Sequence, residues 1–126
     1  MRAGDTNVLA RFLLRDDERQ HLLSRALLEA SAVFVPITVA LELEWVLRSY
    51  DLPRAQVVRT IRDLMGLPNV IFEDSDRLRE ALSLVDGGAD FADALHLVRC
   101  GECTDFVTFD KTLAATAPDR VTLLTA

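Results

Sequence analysis

Apolar residues in this chain follow two patterns, short unbroken runs and stretches spaced every three or four residues, and the two predict different elements. The runs Val33-Phe34-Val35, Val70-Ile71-Phe72, Phe106-Val107-Thr108-Phe109 and Val121-Thr122-Leu123-Leu124 read as buried strands, the first closed by Pro36. A further short strand, poor in apolar residues, is expected over 2–5. Helical spacing fills the intervals. Val8, Leu9, Phe12 and Leu13 mark one face of a helix capped by Thr6, and Leu22, Leu23, Ala26, Leu27 and Ala30 mark the face of a second over 17–30. Thr38 is expected to cap a third helix running to Tyr50, with Leu43, Val46 and Leu47 inward. Pro53 opens a fourth to about Gly66, with Val57, Val58, Ile61, Leu64 and Met65 inward, and these two read as a hairpin. Another helix is expected over 75–85. From Phe91 to Cys100 the chain is almost continuously apolar, which fits a helix buried on most sides. Strands separated by helical crossovers imply an α/β fold with a parallel sheet covered on both faces.

The polar start of that last helix needs its own explanation. Asp90 at the N-cap and Asp93 three residues on form an acidic variant of the capping box, and both charges suit the positive end of a helix dipole. Capping uses only these two acids, yet Asp86 to Asp110 carries six Asp or Glu against one Arg and no Lys. On the predicted scheme Asp5 ends the first strand, Glu42 opens a helix after the second, Asp93 opens a helix before the 106–109 strand, and Asp110 ends that strand. In an open parallel sheet this is the edge where ligands bind. Four chain-distant carboxylates placed there suit a hard cation, Mg²⁺ or Mn²⁺. No Ser-His-Asp or Cys-His nucleophile, phosphate-cradling Gly loop or dinucleotide fingerprint competes with them.

Composition then bounds the class. The 126 residues, half of them hydrophobic, fit one domain over 1–126 with a single core. The net charge of −6 argues against broad electrostatic binding of nucleic acid, but carboxylates neutralised by a divalent ion attract phosphate. The 14 positive charges are 13 Arg and one Lys, and Arg48, Arg54, Arg59 and Arg62 lie close together in the middle of the chain, where Arg is the better bidentate phosphate binder. The apolar runs fall short of the ~20 residues of a membrane helix, and the start has no signal-peptide core; a cytoplasmic protein is expected. Cys100 and Cys103 form one Cys-Gly-Glu-Cys unit lacking the second pair of a structural zinc site, and coincidence is the preferred reading.

Four segments carry a resemblance: Asp5-Thr6-Asn7-Val8-Leu9, Leu41-Glu42-Leu43-Glu44-Trp45-Val46-Leu47-Arg48, Asp90-Phe91-Ala92-Asp93-Ala94-Leu95-His96 and Thr108-Phe109-Asp110. In this order and spacing, over nearly the whole chain, they resemble a PIN domain, specifically the VapC-type ribonuclease toxin of bacterial toxin-antitoxin pairs. The resemblance implies a three-layer α/β/α sandwich with a central parallel sheet, a Mg²⁺- or Mn²⁺-dependent endoribonuclease acting on RNA, a homodimer, and inhibition by a small VapB-type antitoxin. By position, Asp5, Glu42, Asp93 and Asp110 match the family's acidic quartet. Glu42 is preferred to Glu44 because Leu43, Val46 and Leu47 then fill the apolar positions after the acid. Thr6, Asp90 and Thr108 are expected to orient acids or water, and Arg48, Arg59, Arg62 and His96 are candidates for substrate or partner contact. A partly buried structural role is the competing reading of His96, and Trp45 is read as core or, equally, as part of a dimer or antitoxin groove. Two other functions share parts of this pattern. A phosphoacceptor domain would want an acidic pair after the first strand and a Lys after the last, and neither is present. A non-catalytic PIN-like scaffold would use the same acids only as caps.

Overall fold

A computed structural model describes residues 1–125, which fall into two compact units, Met1–Ser75 and the chain from Asp76 onward. Every strand pairing in both is parallel, and helices occupy the connections, so the fold is α/β with parallel sheet.

The first unit is built on a three-stranded sheet in the order β1 (Arg2–Ala3), β2 (Val33–Val35), β3 (Val70–Phe72), with Ala3 opposite Phe34 and Phe34 opposite Ile71. Helices α1 (Thr6–Leu14) and α2 (Glu18–Ala30) connect β1 to β2, and α3 (Ile37–Ser49) and α4 (Arg54–Met65) connect β2 to β3. Leu9, Val33, Val35, Leu43, Leu47 and Ile61 are fully buried. Gly4, between β1 and α1, lies so close to β2 that a Cβ there would stand 2.8 Å from Cγ1 of Val33. Helix α3 packs on α4, giving the expected hairpin.

Three expectations are corrected in this unit. Thr6 is the first residue of α1, and Asp5 is its cap. Thr38 caps nothing: α3 starts one residue earlier, after Pro36, and its first free N–H, on Ile37, is answered by Oε1 of Glu73 from the end of β3 at 2.8 Å. Helix α2 buries His21, Ser24 and Leu28, while Leu22 and Leu23 face solvent. The reason lies at the end of α1, where the Arg15 N–H answers the Arg11 carbonyl at 3.4 Å but the Phe12 carbonyl has no helical partner. His21 Nδ1 supplies a donor, 2.9 Å from the Phe12 oxygen and 3.3 Å from that of Arg11, and its ring stacks on Phe12. A polar side chain is drawn inward because the neighbouring helix needs its hydrogen.

The second unit holds α5 (Ser75–Asp86, entered from the first), α6 (Phe91–Val98), β4 (Phe106–Thr108), α7 (Lys111–Thr116) and β5 (Val121–Leu123), with β4 and β5 paired as a second parallel sheet. Phe91, Ala94 and Val98 are buried, as the apolar run predicts, and Leu78 and Leu82 are the buried face of α5. Helix α6 stops before Cys100, and Arg77 reaches across to donate to the Val98 carbonyl at 2.5 Å, answering one of the carbonyls left without a helical partner at that end. Cys100 and Cys103 are free thiols joined by a backbone turn, Cys103 N–H to Cys100 oxygen at 3.0 Å. Each sheet is less covered than expected, since Ile71 at the centre of β3 in the first and Val107 at the centre of β4 in the second are exposed. Among the described residues no helix is long and apolar enough to cross a membrane.

Candidate metal centre

Asp5 stands where β1 gives way to α1. Its extended backbone (φ −82°, ψ 160°) fits an N-cap, and its Oδ1 accepts from the Thr6 N–H at 2.7 Å. The carboxylate is thereby fixed at the positive end of α1. Thr6 is only 3% exposed, and its hydroxyl donates to Oε1 of Glu42. Glu42 is not at the mouth of α3 as expected but is the sixth residue of that helix, on its exposed side. Packing of α1 on α3 lets Thr6 reach it. The nearby Glu44 is 5% exposed and engaged through Oε2 with Nε of Arg48 at 2.9 Å, so it is committed to an ion pair within α3. In this unit, then, Asp5 and Glu42 are linked through one threonine. Glu73, which no motif marks, is a third acid at a strand end; its signal is position, directly after the β3 run, and its carboxylate is spent on the α3 amino end.

The second unit holds the other two acids. Asp90 caps α6, its Oδ2 accepting from the Asp93 N–H at 3.2 Å, as the capping pattern predicts. Asp110 caps α7, a helix not expected from the sequence pattern: Oδ1 accepts from the N–H groups of Thr112 at 2.8 Å and Leu113 at 3.2 Å. Thr108 holds this turn by accepting the Asp110 N–H at Oγ1, 3.0 Å away. Asp93 is half-buried, and its carboxyl is pushed above the usual range, first by desolvation and then by the negative charges of Asp90 and Asp110. His96 acts in the opposite sense, and a hydrogen bond to Asp110 favours the protonated form of Asp93. His96 itself is exposed on α6, which removes the structural-histidine reading; the buried histidine of this chain is His21. Arg59 and Arg62 are exposed on α4, and Arg48 is 43% exposed with its guanidinium held by Glu44.

The quartet thus comes as two pairs, Asp5 with Glu42 and Asp93 with Asp110. Both pairs offer carboxylate oxygens, the donors that Mg²⁺ and Mn²⁺ prefer. In the second pair the fit goes further, because a cation offsets the desolvation and removes the repulsion that together raise Asp93. Among the described residues no three or more Asp, Glu, His or Cys side chains are already drawn together around one point.

The PIN-domain model matches residues 4–118, a span that contains all four acids, and the chain belongs to the PIN-domain family. PIN domains are generally nucleases and typically use divalent metal ions. No curated protein matches the chain.

Proposed function

We propose that the chain is a Mg²⁺- or Mn²⁺-dependent endoribonuclease acting as the toxin of a VapC-type toxin-antitoxin pair, with residues 1–126 working as one cytoplasmic PIN-like domain. Asp5 and Asp93 are the principal metal ligands, and Glu42 and Asp110 complete the site. When bound, the ion supplies Lewis acidity toward the phosphodiester and toward water, so no protein nucleophile is called for. The chain's own part is positional. Thr6 sets the rotamer of Glu42, Thr108 fixes the turn that aims Asp110, and Asp90 holds the first turn of α6 so that Asp93 is presented at its start. Arg48, Arg59, Arg62 and His96 are exposed enough to meet RNA phosphates or a partner. A homodimer and a small VapB-type antitoxin are the expected assemblies.

The observation that carries this reading is Asp93. A half-buried carboxyl set beside two further acids is an unfavourable arrangement in the metal-free protein, and such perturbed acids mark functional sites. Mn²⁺ calorimetry with a parallel thermal melt, on wild type and Asp93→Asn, tests it directly. Wild type is expected to bind and to melt higher with metal, while the variant folds and does not respond. RNA cleavage that requires Mg²⁺ or Mn²⁺ and is lost in Asp93→Asn completes the assignment; a variant still active and metal-responsive would end it.

A further inference from the structure

We propose that Trp45 is a base-stacking platform for single-stranded RNA, with Arg48 beside it as the phosphate contact, which names the form of substrate and rests on the nuclease reading above. Trp45 is 62% exposed, one turn beyond Glu42 on α3. Long helical side chains lean toward the amino end of their helix, so an indole at this position covers the surface over the turn that carries Glu42. Three residues further on, Arg48 is held through Nε by the buried Glu44, which fixes its guanidinium in place and leaves the side chain 43% exposed. An acid proposed to hold metal, a flat aromatic and a pinned cation therefore follow one another along one helix. That is the order of chemistries a nucleotide presents: a scissile phosphate, a base and a neighbouring phosphate.

The surroundings favour RNA over a second protein surface. The helical neighbours of Trp45 at three and four residues are Leu41, Glu42, Arg48 and Ser49, and only Leu41 is apolar. The buried centre of a protein interface is depleted of charge, whereas a lone aromatic ringed by polar groups with a guanidinium at its side matches a nucleic-acid contact. The second unit repeats the pairing. Phe109, 72% exposed, directly precedes Asp110. Among the described residues the exposed aromatics are Trp45, Tyr50 and Phe109, and two of the three adjoin a proposed metal ligand.

Trp45 is the only tryptophan in the chain, so its emission reports on this position alone. The test titrates a mixed-sequence single-stranded oligoribonucleotide of about 12 nucleotides, long enough for one such groove, into the protein in chelator and again in Ca²⁺. Saturable quenching of Trp45 emission is expected, with Trp45→Ala weakening binding of end-labelled RNA, followed by anisotropy, at least about fivefold and Trp45→Phe restoring most of it. Arg48→Gln is expected to lower the salt dependence of binding. Absence of binding, binding without quenching, or equal affinity in Trp45→Ala overturns the proposal. So does emission that changes on diluting the protein without RNA, which would place a second copy over Trp45. Cleavage in Mn²⁺ is scored separately. RNA cut without any response of Trp45 leaves the nuclease reading standing and removes this one, and quenching without cleavage does the reverse.

Discussion

The Thr6 hydroxyl donates to Oε1 of Glu42, tying the first turn of α1 to the second turn of α3 through a side chain that is almost wholly buried. Groups that orient metal-ligating carboxylates typically matter by 10–100-fold in affinity or activity. Thr6→Val keeps the shape and removes the donor. It is expected to fold, to lose roughly 10–100-fold in Mn²⁺ affinity or cleavage, and to be rescued by Thr6→Ser; calorimetry and a metal-dependent cleavage assay check this.

Asp93 gives a prediction in pH. Its folded-state carboxyl titrates above the ordinary value of 3.8, so the folded protein holds that proton more tightly than the unfolded chain. Its contribution to stability is then fully present below 3.8 and is lost as pH rises through the raised value, leaving a penalty at neutral pH. Asp93→Asn removes the charge. In chelator at pH 7 the variant is expected to melt above wild type, with the gap closing as pH falls toward 3.8. Adding Mn²⁺ at pH 7 should reverse the order by stabilising wild type alone.

His21 tests the corrected face of α2. Its Nδ1 answers the Phe12 and Arg11 carbonyls, and leaving a buried acceptor unanswered costs about 1–3 kcal/mol. His21→Leu is expected to lower stability by about that amount despite adding apolar surface. Leu23→Ser, on the exposed side of the same helix, should change it by less than about 0.5 kcal/mol. Urea melts of the two variants decide which face is inside.

Gly4→Ala probes the approach of the first strand to β2. A Cβ there would meet Cγ1 of Val33 at 2.8 Å, and overpacking of this kind costs about 1–3 kcal/mol. The added methyl also pushes on the segment that carries Asp5. A lower midpoint in urea is expected, and pairing with Val33→Ala should recover part of the loss.

Much of this molecule was legible in its sequence. The strands at Val33–Val35, Val70–Phe72, Phe106–Thr108 and Val121–Leu123 announce themselves as short apolar runs, and the parallel α/β class follows from the helices between them. Asp90 as a cap with Asp93 three residues on is equally local, because the bond between them spans a single helical turn. Helix α7 was missed for the same reason in reverse: six residues are too few to show a period, and only the capping bonds of Asp110 reveal it.

Other features belong to the tertiary structure. A period of 3.6 residues states which side chains share a face of α2 but not which face is buried, and the Phe12 carbonyl at the end of α1 drew His21 inward and left Leu22 and Leu23 outside. Hydrophobicity alone would bury Trp45, yet packing of α3 on α1 and α4 uses Leu43 and Leu47 and turns the indole to solvent. Acids at strand ends are written in the sequence; the hydroxyl that holds Glu42 comes from 36 positions away, and to the burial and the local charge of Asp90 that raise Asp93 the fold adds the charge of Asp110, 17 positions on. Local pattern therefore determined the elements and the type of donor atom. Only long-range packing decided which donors are paired, which are desolvated and which aromatic is left uncovered, because those depend on neighbours that periodicity does not encode.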